Sequence, residues 1–282
     1  MKTRKDSILG LPNGSLFEPT AKLMAKIGIK VDTSSRSFEQ PINGLGLFNK
    51  ILIMRPQAIP TAISRGILKA GICGWDWVVE NGLEGSLWKI TELNYGKKSQ
   101  KAVRIVAFGR NEEWRDGEGA KIYSEYPALT KRFFPGAQIH FSPGSTEIMV
   151  CAGAYDFGVS VVETGKTLKD NNLKILKVLL ISPVVLMAKE RTPELEIFGE
   201  ILKGGLISEN YQLLKFNVDA ENLPGILSFL PALEAPTINQ LADGSLSVES
   251  VIKKRELVQT LIKVRKKGGK GILLQDINIV LQ

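Results

Sequence analysis

The feature that most constrains this chain is an alternation of short strand-like segments with amphipathic helical ones, kept up over most of its 282 residues. Residues 7–11, 50–54, 70–73, 103–108, 138–141 and 157–162 are apolar or alternate at period two, and each is predicted to be a strand. Helices are predicted between them. The one at 18–27 places Leu23, Met24 and Ile27 at helical spacing after the turn Pro12-Asn13-Gly14. Pro60 suits the first turn of a helix through residue 69. Further helices are expected at 75–80 after Gly74, at 126–134, 145–154 and 167–172, and at 193–203. Residues 109–119 are polar and glycine-rich and read as a loop. The longest apolar stretch, 178–188, is interrupted by Ser182-Pro183 and is expected to be a buried strand near a turn. Strand and helix in regular succession mark an α/β fold.

The tail changes grammar. A strand at 211–218, a helix at 222–230 opened by Pro224, strands at 236–241 and 245–252, a helix at 255–266 and a last strand at 271–280 are predicted. Asp243-Gly244 joins the two middle strands as a hairpin signal, and Leu257, Leu261 and Val264 share one face of the second helix. The order β-α-β-β-α-β is ferredoxin-like. Gly204-Gly205, just before it, is expected to act as a hinge.

Composition removes several classes of function. Hydrophobic residues at 44% and charged residues at 23% suit a chain with packed cores, and no run reaches the roughly eighteen apolar residues of a membrane span. The basic start, residues 1–6, is followed by no apolar signal core, so a cytoplasmic protein is expected. The single histidine, His140, sits in a strand-like run and is expected to be structural; this excludes His–His metal sites and disfavours a Ser/His/Asp hydrolase. Cys73 and Cys151 form no C-x-x-C pair and are expected to be reduced thiols. A net charge of +8 fits an anionic partner or a solvated basic surface, with much of the excess at 253–255 and 263–270. A nucleic-acid partner ranks last, since neither a recognition motif nor basic–aromatic interleaving occurs.

The segment richest in chemistry is Val161-Val162-Glu163-Thr164-Gly165-Lys166-Thr167-Leu168. An apolar strand ends in a short polar loop from which a helix can start, where unpaired N–H groups and the helix dipole favour an anion. Gly165 allows close approach to a phosphate, Thr164 and Thr167 offer hydroxyl donors, and Lys166 adds charge. The loop is not of the G-x-x-x-x-G-K-[ST] type, so a nucleotide hydrolase is not indicated. Taken alone, the tetrapeptide Thr-Gly-x-Thr is as well explained by an ordinary capped helix.

Its surroundings decide between these. In order along the chain come Leu11-Pro12-Asn13-Gly14-Ser15-Leu16, Gly71-Ile72-Cys73-Gly74-Trp75-Asp76 and Tyr126-Pro127-Ala128-Leu129-Thr130-Lys131-Arg132-Phe133-Phe134. Gly144-Ser145-Thr146-Glu147, the stretch from Asp156 to Leu173, and Leu230-Pro231-Ala232-Leu233-Glu234-Ala235-Pro236-Thr237 follow. With these motifs, from Leu9 to about Leu281, the chain resembles the long form of the ATP phosphoribosyltransferase family. The resemblance implies a two-lobed catalytic region shaped like periplasmic solute-binding proteins, with residues 1–95 and 180–208 as lobe I and 96–179 as lobe II. It also implies a ferredoxin-like, ACT-like regulatory domain at 209–282. The implied reaction joins phosphoribosyl pyrophosphate to ATP at the first step of histidine biosynthesis, with Mg2+ carried by the pyrophosphate rather than by side chains. Histidine inhibition and assembly into dimers and hexamers are implied as well.

By the same resemblance, Glu163, Thr164, Gly165, Lys166, Thr167 and Leu168 would hold the 5-phosphate, with Asp156 near the ribose or nucleotide. Arg55 would neutralise the leaving pyrophosphate. Leu11, Asn13, Ser145 and Glu147 would line the ATP side. Asp219, Thr237 and Gly271 would lie near the histidine site, while Tyr126 and Arg132 are given packing or surface roles. Four residues depart from the family pattern: Asn13 and Ser15 where loop cations are usual, Lys69 where an acid is common, and Ser160 in place of a second acid. The competing reading is a nucleotide or histidine sensor of the same fold whose altered loops have weakened catalysis.

Overall fold

The structure, a computed structural model, describes residues 7–42, 46–93, 95, 102–110 and 119–281. The basic start and most of the loop expected at 109–119 lie outside the described residues. The chain divides into two compact units, Met1–Glu200 and Ile201–Gln282.

In the first unit, β1 (Ile8–Pro12), α1 (Phe17–Lys26), β2 (Glu39–Pro41), β3 (Lys50–Met54), α2 (Ile59–Ser64), β4 (Ala70–Gly74), α3 (Trp75–Glu80) and β5 (Trp88–Leu93) come first. β1 runs parallel to both β3 and β4, and every residue of β4 is buried, as expected of a parallel strand covered on both faces. The chain then builds a second sheet from β6 (Val103–Gly109), β7 (Lys121–Ser124), α4 (Pro127–Phe133), β8 (Gln138–Phe141), α5 (Thr146–Cys151), β9 (Phe157–Val162), α6 (Lys166–Asp170) and β10 (Lys174–Ser182). Pro183 has no N–H to give a ladder, and the chain crosses back there. β11 (Val184–Ala188) enters the first sheet between β4 and β5, antiparallel to both.

The sheets are therefore ordered β2-β3-β1-β4-β11-β5 and β10-β6-β9-β7-β8. The single strand expected at 178–188 is corrected to two strands in two different sheets. The helix expected through residue 69 stops at Ser64, and the one expected through 154 stops at Cys151. Three strands, β2, β5 and β7, were not anticipated from sequence.

Contacts between the two sheet systems are specific. The Glu80 carboxylate at the end of α3 accepts the backbone N–H groups of Ala128 and Leu129, each at 2.8 Å. These are first-turn donors of α4 that a helix cannot satisfy itself. Arg132, further along α4, pairs with Glu84 and donates to the Val79 carbonyl. Glu80→Ala is expected to lower stability by about 1–2 kcal/mol, the usual worth of a lost N-terminal cap, read as a lower urea midpoint at unchanged slope.

The second unit completes α7 (Pro193–Ile207) and adds β12 (Tyr211–Val218), α8 (Leu223–Leu227), β13 (Thr237–Gln240), β14 (Leu246–Lys253), α9 (Leu257–Lys266) and β15 (Lys270–Asp276). The antiparallel sheet has the order β13-β14-β12-β15, the ferredoxin-like arrangement. Leu214, Phe216 and Val218 pack with Ile226, Val248, Ile252 and Val264 in its core. Gly204 and Gly205 lie inside α7, so the expected hinge is corrected to helix interior. A Cβ on Gly204 would come 2.9 Å from the Val280 carbonyl oxygen, so the glycine there permits close approach. Among the described residues no helix is long and apolar enough to cross a membrane.

Candidate functional site

A cavity of about 460 Å³ opens within the first unit. One wall is made by segments following strands of the first sheet: Asn13-Gly14-Ser15 after β1, Arg55 and Pro56 after β3, Asp76 and Trp77 after β4. The other wall is made by Glu125 and Tyr126 after β7 and by Val161 and Glu163 at the end of β9, with Ser182 at the crossover. Crevices at the carboxyl ends of strands are where open α/β sheets bind ligands. The Asn13 N–H donates to the Met54 carbonyl at 2.9 Å, which ties the first two loops side by side. Arg55 is exposed, and its guanidinium has no hydrogen bond or ion pair among the described residues.

The cavity floor holds a buried polar cluster. Asp76 is only 4% exposed. Its carboxylate accepts the Tyr126 hydroxyl at 2.8 Å and the Ser182 hydroxyl at 2.6 Å, and its own N–H donates to Ser182 Oγ. Burial pushes the Asp76 carboxyl above its ordinary value, with the two hydroxyl donors opposing that rise. Tyr126 is buried in turn, and its phenol is pushed well up by burial and the neighbouring carboxylate. Trp77 stacks on Tyr126, ring centroids 4.8 Å apart and planes 27° from parallel. Glu125 accepts the Thr146 hydroxyl at 3.1 Å, and burial raises its carboxyl too.

The glycine turn stands at the C-terminal end of β9. Gly165 has φ +78°, a region costly for a residue with a Cβ, and α6 starts at Lys166. The Lys166 N–H points at Thr164 Oγ1, 3.4 Å away. Thr164, Lys166 and Thr167 are exposed, whereas the Leu168 side chain is buried with Val162 and Leu173. The Arg104 guanidinium lies 4.0 Å from where a Gly165 Cβ would be, a cation that sequence reading passed over.

Of the residues expected at the site, Asn13, Arg55 and Glu163 line the one cavity, and 164–168 continue from Glu163. Ser145 and Glu147 open α5, joined to the cavity through the Thr146–Glu125 bond; Glu147 also accepts the Ser160 hydroxyl at 3.3 Å. Two expectations are corrected. Leu11 is 0% exposed within β1 and offers ATP no side-chain surface. Asp156 sits at the other end of β9, roughly 20 Å from Glu163 at strand rise, and its carboxylate accepts the Lys121 N–H at 2.8 Å. Leu168 can contribute only backbone.

Among the four departures, Asn13 and Ser15 are in the cavity wall, and Ser160 is buried beside Glu147. Lys69 precedes β4, at the end away from the cavity, with its ammonium 5.9 Å from the Phe48 ring centre. In the second unit Asp219 pairs with Lys270 at 2.9 Å, beside Gly271. Thr237 is on β13, at the opposite edge of the sheet. One copy of the unit therefore does not gather Asp219, Thr237 and Gly271 into one site.

Sequence reading missed Asp76, Trp77, Glu125 and Ser182 as cavity residues. Asp76 was within a quoted motif, but only burial distinguishes it, and burial is a tertiary property.

Comparison with known proteins agrees in both units. The ATP phosphoribosyltransferase family model matches residues 55–204, and the model described as HisG, C-terminal domain matches 208–279. An ATP phosphoribosyltransferase of Desulforudis audaxviator is 33% identical over 97% of this chain and 98% of its own. One from Geotalea daltonii is 32% identical over 96% and 98%. A solved ATP phosphoribosyl transferase (HisG:HisZ) complex from Thermotoga maritima superposes with a TM-score of 0.56 at 26% identity, covering 65% of this chain and 86% of that one.

Proposed function

Because the chain belongs to the ATP phosphoribosyltransferase family, we propose that the cavity of its first unit is where the phosphoribosyl group passes from phosphoribosyl pyrophosphate to ATP. The reaction gives phosphoribosyl-ATP and pyrophosphate and is the first step of histidine biosynthesis. What carries the assignment of the site is the convergence of Arg55, the 13–15 loop and Glu163 on one cavity at strand ends.

The chemistry asks little of side-chain nucleophiles. The adenine nitrogen beside the amino-bearing carbon attacks the anomeric carbon as the bond to pyrophosphate breaks, and the bonding pair leaves with the pyrophosphate oxygen. Positive charge gathers on the sugar and negative charge on the leaving group, so positioning and fixed charge do most of the catalysis. In this reading Arg55, without a partner among the described residues, meets the departing pyrophosphate. The turn 164–168 grips the 5-phosphate through backbone N–H groups and the Thr164 and Thr167 hydroxyls, with Arg104 adding charge from behind.

Magnesium would enter bound to the pyrophosphate, whose charge it neutralises. Among the described residues no three His, Cys, Asp or Glu side chains come together as a metal group. The second unit is assigned to histidine sensing and to assembly. With Gly271 and Thr237 on opposite edge strands of the sheet, a histidine site using both would need two copies, which fits a regulated homo-oligomer.

The test uses Gly165→Val, which puts a β-branched residue at φ +78°. A ligand at a hundred times its dissociation constant stabilises a protein by about 2.7 kcal/mol. Phosphoribosyl pyrophosphate with Mg2+ should therefore raise the parent's melting temperature by several degrees, and the variant's far less. Equal shifts in both proteins remove the turn from the site; no shift in the parent removes the cavity's assignment.

A further inference from the structure

We propose that Trp77 is the stacking surface for the adenine of ATP and that Glu125 accepts a hydrogen bond from the 6-amino group of the same ring. The inference rests on the cavity being the transfer site and names the residues that recognise the base there. Trp77 and Glu125 both line that cavity.

Trp77 is prepared for this role by the residues behind it. Tyr126 is 2% exposed, and its hydroxyl is held by the buried Asp76. The indole packs against that fixed ring and against the apolar residues of both neighbouring cores, and it remains partly exposed. A rigid aromatic plane in a cleft binds a flat ring at little cost in conformational freedom. Stacking alone tolerates any base, since every base has a π face.

Glu125 supplies the discrimination. An ionised carboxylate only accepts hydrogen bonds. Adenine's 6-amino group donates, whereas the 6-oxo group of hypoxanthine accepts, so inosine triphosphate would set two acceptors against each other in a partly buried place. The Thr146 hydroxyl occupies Oε1 and orients the carboxylate. The placement also serves the reaction. As the ring nitrogen forms its bond to the anomeric carbon, positive charge spreads to the adjoining amino nitrogen, and a carboxylate there stabilises it. Burial opposes ionisation of Glu125, and a donor that acquires positive charge beside it favours the ionised form.

The experiment compares the parent with Trp77→Leu, Trp77→Phe and Glu125→Gln. Trp77→Leu is expected to raise KM for ATP about tenfold, the lower range for loss of base stacking, with KM for phosphoribosyl pyrophosphate little changed; Trp77→Phe should lie between. Glu125→Gln, whose amide can donate to a 6-oxo group, should narrow the preference for ATP over inosine triphosphate, read as the ratio of their dissociation constants, by about tenfold. An unchanged ATP KM in folded Trp77→Leu, or an unchanged preference in Glu125→Gln, overturns the proposal. Should Trp77→Leu fail to fold, quenching of intrinsic fluorescence by ATP decides: it should vanish in Trp77→Phe, and its persistence there is contrary. That binding measurement needs no turnover, so it separates failure of the base subsite from failure of the transferase reading.

Discussion

Arg55→Ala is expected to lower kcat by a factor of about a hundred to a thousand, the usual consequence of deleting one charge-stabilising donor, while leaving the folded state nearly unchanged. Arg55 is exposed, caps a short turn through its backbone and lines the cavity with its side chain. Its lack of any partner among the described residues means that its removal strands no buried group. KM for phosphoribosyl pyrophosphate should change less than kcat, because charge on the leaving oxygen develops on the way to the transition state. Arg55→Lys should recover only part of the rate, since an ammonium cannot make the paired contacts of a guanidinium with a phosphate. Steady-state rates with melting curves for the three proteins check this. A kcat within a few-fold of the parent in Arg55→Ala would place the leaving group elsewhere.

The largest effect on stability is expected at Asp76. Asp76→Ala removes the acceptor of two hydroxyls, from Tyr126 and Ser182, both inside the protein. Stranding buried donors costs about 1–3 kcal/mol each, and the void adds to it. A loss of roughly 3–5 kcal/mol follows, measurable as a fall in urea midpoint. Since these bonds join α3, the segment after β7 and the crossover at Ser182, the loss should also loosen the cavity and raise both substrate KM values.

Asp76 carries a pH dependence as well. Its folded carboxyl is raised above the ordinary 3.8, chiefly by burial. In the window above 3.8 and below the raised value, the unfolded chain has released the proton and the folded chain has kept it. The unfolded state therefore binds fewer protons, and stability falls as pH rises through that window. Asp76→Asn, which cannot ionise, should flatten this slope. A parent whose stability rises there with the same slope as Asp76→Asn would contradict the assignment.

Much of the architecture was legible because local pattern and burial agree. The strands at 50–54, 138–141, 157–162 and 211–218 occur at the predicted bounds. Strands 50–54, 157–162 and 211–218 bury apolar side chains that their pattern sets on a face, while 138–141 is mostly exposed and is held by its pairing with β7. Where the two disagree, the reading failed. Residues 178–188 form one apolar run, yet Pro183 sends its halves into separate sheets, and nothing local says which partner each half finds. Lys121–Ser124 is too short to be recognised beside a glycine-rich stretch, but it lies between β8 and β9, where pairing on both sides makes it a strand. Trp88–Leu93 was passed over for the same reason: its partner, β11, lies about ninety residues away in sequence.

The site divides along the same line. Residues with charge or glycine in a motif, such as Arg55, Glu163 and Gly165, could be named from type and order. Asp156 was misplaced because a strand's two ends are equally near its motif in sequence and far apart in space. Leu11 was misplaced because motif membership does not separate a side chain facing the core from a loop facing the cleft. Trp77 and Glu125 were missed because stacking on Tyr126 and seclusion beside Thr146 come from residues about fifty and twenty positions away.

The most direct measurement is to mix the purified chain with ATP, phosphoribosyl pyrophosphate and Mg2+ and to follow phosphoribosyl-ATP and pyrophosphate together. One of each should appear for every ATP consumed, and Arg55→Ala should abolish nearly all of it. Pyrophosphate released without the adduct, or neither product from a folded chain that still binds both substrates, would contradict the account.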